Sequence, residues 1–208
     1  MSSLALRWRR ALPVGVDPAA ADRAAADLIG RWAQSHRHHH GLGHLVAVLA
    51  VVDAHAGEAA DPDAVRLAAW FHDAVYEPTR DDNEPASAAL AAAALPPLGV
   101  SGERVAEVHR LVLLTAGHDP VPGDPDGALL CDADLAILAA PAATYATYAR
   151  NIRREYAHVP EDAFRLGRAA VLTRLLALPA LFHVPILRDR WESAARSNLE
   201  NELRRLAA

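Results

Sequence analysis

The sequence predicts an all-α protein, a compact irregular helical bundle. Three observations predict it. Apolar residues recur at helical spacing in segment after segment, Asp-Pro steps and glycines punctuate them, and no run shows sustained strand-like alternation between hairpin turns.

Asp17-Pro18 pairs an N-cap with proline at the first helical position and opens a helix to about Ser35. His44 to Ala56 carries Leu45, Val48, Leu49 and Val52 at helical spacing, and Gly57 supplies a stop. Asp61-Pro62 repeats the opening signal for a helix to about Ala74. VYEPTRDDNEP is a loop, and ASAALAAAAL is helical by propensity until Pro96-Pro97. Ser101 starts another helix, with Val105, Val108, Leu111 and Val112 inward, stopped by Gly117. HDPVPGDPDG is a second loop, and helices follow at about 128–139, 142–157, 161–177 and 188–206. The 208 residues are expected to form one domain, 1–208, with 142–208 as a C-terminal helical extension packed on the core.

A chain this long buries roughly 70% of its unfolded surface, so it needs neither disulfide nor structural metal to fold. Cys131 is the sole cysteine, which rules out an intrachain disulfide and fits a cytoplasmic setting. No apolar run approaches ~18 residues, so the expectation is a soluble chain without signal peptide or membrane span. Net charge is −5, every basic residue is Arg, and no basic block stands out. That argues against general nucleic-acid binding and leaves room for a local phosphate pocket. The apolar stretch LLALPALFHVPIL fits either core or a homodimer face.

Chemistry concentrates in three places. RHHHGLGH (37–44) puts His40 and His44 four apart on one helical face, and His44 begins an apolar pattern. AAWFHDAVYE (68–77) sets the His72-Asp73 pair at the end of an apolar helix, where an ionised Asp is costly unless a cation compensates it. LLCDADLAIL (129–138) places Asp132 and Asp134 inside an apolar run, and Asp134 fits an inward position. Each has a plainer reading: a solvated turn, a surface pair, a helix cap.

Together these pieces resemble the HD-domain superfamily of metal-dependent phosphohydrolases, whose pattern is a His, a His-Asp doublet and a distant Asp on helices of one bundle. The chain is similar, more narrowly, to a bacterial subfamily of predicted HD phosphohydrolases. RHHHGLGH, FHDAVYEPTRDDNEPASA, DADLAIL, IRREY and ARSNLENEL carry that likeness across nearly the whole chain. The resemblance implies His44, His72, Asp73 and Asp134 as ligands of a divalent metal ion: Mn, Fe, Co, Ni, Zn or Mg. It implies hydrolysis of a phosphate ester, such as a nucleotide or another small phosphorylated metabolite. HGLGH is similar, more distantly, to the His-Asn-x-x-His element of cyclic-nucleotide phosphodiesterases, which implies His40 as the acid protonating the leaving oxygen. Gly41 stands in place of that Asn, and Glu77 where those enzymes carry a further His.

Glu84, at a helix start, or Asp73 is the candidate for orienting the attacking water, with capping as the alternative role of Glu84. Glu77, Asn83, His118, Arg153 and Tyr156 are candidate supporting or substrate-contacting positions; His38 and His39 read as solvated or loop-stabilising. Two other functions compete. An HD-fold di-iron oxygenase would need extra histidines, for which His118 and His109 are placed, and a non-catalytic nucleotide-binding sensor would need no complete ligand set.

Overall fold

Asp-Pro steps open three helices. In the computed structural model, which describes residues 3–207, the Asp17 carboxylate accepts from the N–H groups of Ala19 and Ala20, Asp61 from Asp63 and Ala64, and Asp124 from Gly127. Each Asp satisfies N–H groups that a helix start leaves unpaired, and the proline has no N–H to lose. Ten α-helices result among the described residues, with no strand: α1 (Ser3–Ala11), α2 (Pro18–Trp32), α3 (Leu42–Ala54), α4 (Pro62–Phe71), α5 (Asn83–Ala94), α6 (Gly102–Leu114), α7 (Pro125–Leu135), α8 (Ala142–Glu155), α9 (Glu161–Ala177) and α10 (Pro185–Ala207). Met1, Ser2 and Ala208 of the expected 1–208 unit lie outside the described residues.

Several boundaries differ from the sequence reading. A further Asp-Pro step, at Asp124-Pro125, starts α7 within the segment expected as a loop. The 23-residue α10 begins at Pro185 rather than near 188. Helix α4 stops at Phe71, so His72 is its C-cap and Asp73 already lies beyond it. Helix α1 was not expected, because RWRR hides its apolar face. Trp8 is fully buried, gives its indole N–H to the Ala21 carbonyl at 3.0 Å, and meets Trp70 edge-on at 5.5 Å.

The core has two parts. Helix α4 is the axis of the first: all but three of its ten residues are buried, and it packs against α1, α3, α5, α6 and α7. The second gathers Leu138, Tyr145, Leu172, Leu181, Phe182 and Leu199 between α8, α9 and α10, and Trp191 packs against both parts. Leu175, Leu181, Phe182, Val184 and Leu187 of LLALPALFHVPIL are buried and belong to the core, while Ile186 is exposed. Cys131 is buried, and burial pushes its thiol pKa up, which suits a small core residue.

Polar fasteners join α10 to the rest. Fully buried Asp132 accepts the N–H groups of His183 and Val184, both at 2.8 Å. Asn198 donates to the carbonyls of Leu138 and Ala140, and Glu202 pairs with Arg168 at 2.8 Å. The polar residues of ARSNLENEL that face inward are therefore structural. Among the described residues no single helix is long and apolar enough to cross a membrane; helix 125–139 with helix 142–155 qualifies only as a pair, bent by 104°.

Candidate metal centre

Three helices deliver the centre. His44 lies on the first turn of α3, whose inward face continues through Leu45, Val48, Leu49 and Val52. His72 caps α4, and Asp134 lies on the last turn of α7. The Nε2 atoms of His44 and His72 are 3.1 Å apart, and Asp134 Oδ1 lies 2.9 Å from the first and 3.6 Å from the second. One ligand atom from each of these residues falls within 4.8 Å of the others, so the group could hold a metal ion. Asp73 borders the same space, with Oδ2 3.3 Å from His72 Nε2 and 3.9 Å from His44 Nε2.

The donor chemistry fits a cation. His72 Nδ1 lies 2.9 Å from the Ala69 carbonyl, which can only accept, so Nδ1 carries the proton and Nε2 offers its lone pair inward. Two carboxylates and two imidazoles then crowd a nearly closed space, where lone pairs repel unless a positive charge sits among them. Burial opposes a charge on His72, yet the Asp73 and Asp134 carboxylates hold its pKa well above the ordinary value. Burial would likewise raise Asp134, but His72 and the bonds from His118 and His44 hold it well below. A field that retains a proton so firmly also favours a divalent ion, and the two compete.

His118 joins from the end of α6. Its φ of 53° lies in the left-handed region, a C-terminal turn in which its N–H bonds the Leu114 carbonyl at 3.0 Å. That turn brings His118 Nε2 to 2.7 Å from Asp134 Oδ2. His109 makes no hydrogen bond or ion pair with the cluster.

The histidine loop before α3 forms a second layer. His40 Nδ1 lies 2.7 Å from Glu155 Oε2, and its ring stacks on Tyr76 at 4.3 Å. Glu155 also accepts the Tyr76 hydroxyl, and its Oε1 accepts the backbone N–H groups of His38, His39 and His40. Burial would raise the Glu155 pKa, but His40 and these N–H groups hold it at about 2. A carboxylate can only accept here, so His40 Nδ1 is the protonated nitrogen and Nε2 is left for other chemistry. Burial works against a charge on His40, but Glu155, Asp73 and Asp134 raise its pKa above the ordinary value.

Buried Arg37 ties this loop to the doublet. It donates to the carbonyls of His40 (3.0 Å), Asp73 (2.6 Å) and Ala74 (3.3 Å), with its guanidinium over Trp32 and Tyr76. Of the two readings of His39, solvated or loop-stabilising, its packing fits the second. Its ring packs 4.8 Å from His44 and 4.6 Å from Tyr148, and burial drives its pKa to about 2, so it stays neutral.

Other expected positions sit elsewhere. Glu84 lies half-buried on the first turn of α5 with no hydrogen-bond or ion-pair partner among the described residues, and its charge acts on Tyr156 rather than on the cluster. Asn83 spends both side-chain functions on the Glu77 backbone, 3.0 Å each way, which makes it a loop clamp; Glu77 itself is exposed. Arg153 is committed to Glu161 and to the Tyr156 and Val159 carbonyls, closing the end of α8, so its guanidinium serves local structure. Tyr156 lines a cleft beside His40.

Sequence reasoning missed Glu155 and Arg37. Glu155 left a trace, since it continues the inward stripe of Tyr145 and Ile152 on α8, where a carboxylate is out of place without a partner. Arg37 left none, because apart from Gln34 its hydrogen-bond partners are backbone carbonyls. No family model, curated protein or solved structure matches the chain.

Proposed function

We propose that the protein is a metal-dependent phosphohydrolase of the HD-domain type. The observation that carries this reading is the convergence of His44, His72 and Asp134, bordered by Asp73, beside a histidine whose tautomer is fixed by a buried carboxylate. These four residues would hold a divalent ion from the Mn, Fe, Co, Ni, Zn or Mg group. When bound, such an ion supplies an acidified water and polarises a phosphoryl oxygen.

The chain's own residues do the rest. His72 is aimed by the Ala69 carbonyl and Asp134 by His118. Protonated His40, with Glu155 on Nδ1, gives the Nε2 proton to the leaving oxygen as the P–O bond breaks. Glu155, Asp73 and Asp134, which raise the His40 pKa, favour retention of that proton. Glu155, not Glu84, is the carboxylate in contact with this acid.

The test is a screen of purified, metal-loaded protein against phosphomonoesters, nucleotides and cyclic nucleotides, with His72→Ala as control. Turnover by the wild type that is lost in the variant supports hydrolysis. Metal binding without turnover of any phosphate ester would favour a sensor, and two irons per chain would favour the oxygenase.

A further inference from the structure

Helices α8 and α9 enclose a cleft of about 370 Å³ that has His40 in its lining. Its walls include the aromatic rings of Tyr148, Tyr156 and Phe164, with Ile152 between them. The His40 ring lies 5.8 Å from that of His44, so the cleft begins one side chain from the metal-ligating group.

Charge decides what the cleft can take. Arg168, in the same wall, gives Nε to Glu202 Oε1 at 2.8 Å and NH2 to Glu202 Oε2 at 3.1 Å and the Tyr148 hydroxyl at 3.2 Å. Its guanidinium lies over the Tyr148 ring. Arg168 is thus neutralised within the wall, and Arg153, above Phe164, is committed to Glu161. With Arg168 paired to Glu202, Arg153 to Glu161 and His40 to Glu155, the cleft has no unpaired cation among the described residues and would not favour a second phosphate. Aromatic faces instead favour an uncharged planar ring. Gly167 keeps part of the wall open, for a Cβ there would meet nothing within 4 Å.

We infer that this cleft holds the leaving group of the substrate, and that the leaving group carries an uncharged planar ring of nucleobase or small-aryl size. The inference rests on the phosphohydrolase reading for the word leaving: the group in the cleft is the one beside His40, which donates the proton when the bond breaks. Ring binding itself does not depend on turnover.

The test uses the full chain, with and without Mn²⁺, and unphosphorylated probes that cannot be turned over. Adenosine and 1-naphthol are compared with glycerol by saturation-transfer NMR, in the wild type and in Gly167→Leu. Gly167 is in the cleft lining and a Cβ there would meet no clash, and leucine is a better helix former than glycine, so this variant adds bulk at the cleft wall without weakening α9. We expect one or both ring-bearing probes to bind, glycerol not to, and Gly167→Leu to weaken ring binding tenfold or more. Adenosine alone would identify a nucleoside, and both probes a general aryl site. No ring binding by the wild type, or binding untouched by Gly167→Leu, overturns the cleft assignment even if phosphate esters are hydrolysed. Ring binding in a protein that hydrolyses none of them overturns the phosphohydrolase reading, and with it the leaving-group role, but not the ring site.

Discussion

His40 donates its Nδ1–H to Glu155 across 2.7 Å, and Glu155 is only 6% exposed. The carboxylate serves a tautomer and a loop together, because its other oxygen gathers three backbone N–H groups from the histidine loop. Glu155→Gln should lower turnover roughly 10–100-fold, as expected when a partner that orients a histidine is lost. Metal content should stay normal. A merely structural role would leave the pH profile in place. Loss of the Glu155 charge lowers the His40 pKa, so the alkaline limb of kcat/KM should move to lower pH. An unmoved limb would contradict the assignment.

His40→Ala should cost about 10²–10⁴-fold in rate while the protein keeps its metal. If metal is lost as completely as in His44→Ala, His40 is a ligand and not the acid.

Glu84 should behave differently. It touches neither the cluster nor His40, so Glu84→Gln should retain most of the rate, measured on whichever ester the screen identifies. A loss comparable to that of His40→Ala would restore Glu84 to the centre.

Asp132 makes stability depend on pH. Burial pushes its pKa up to about 7, even though two N–H groups oppose the shift. The unfolded carboxyl titrates near 3.9, so between about pH 4 and 7 the folded chain retains a proton that the unfolded chain releases. Stability from this group therefore falls as pH rises through that window and levels above it. Urea melts of wild type and Asp132→Asn at several pH values should show the wild-type advantage shrinking from pH 4 to 7. A constant difference would contradict the buried-acid account.

Arg37→Met leaves the carbonyls of His40, Asp73 and Ala74 without their donor. The expected loss is about 3 kcal/mol in unfolding free energy. Metal affinity should fall with it, because the same bonds position the doublet. A variant as stable as wild type would show that water satisfies these carbonyls.

The fold was legible where local chemistry decides it. Asp17-Pro18 and Asp61-Pro62 announce helix starts, and the apolar stripe after His44 announces α3. Helix α1 escaped because three arginines surround Trp8, whose burial depends on distant partners: Ala21, Trp70 and Phe71. In the centre, His44, His72 and Asp134 could be picked out because polar ligand types stand on apolar faces. Asp132 shares that signature yet serves α10, a distinction that depends on where residues 183–184 arrive. Glu84 drew attention through its helix start, whereas the carboxylate that reaches His40 comes from α8.

The most direct measurement is anomalous diffraction from crystals grown with Mn²⁺. The account predicts a peak between His44 Nε2, His72 Nε2 and the Asp134 carboxylate, with Asp73 turned onto the same ion and His40 adjacent but not ligating. A peak at another site, or these side chains pointing apart around solvent while Mn²⁺ is present, would contradict it.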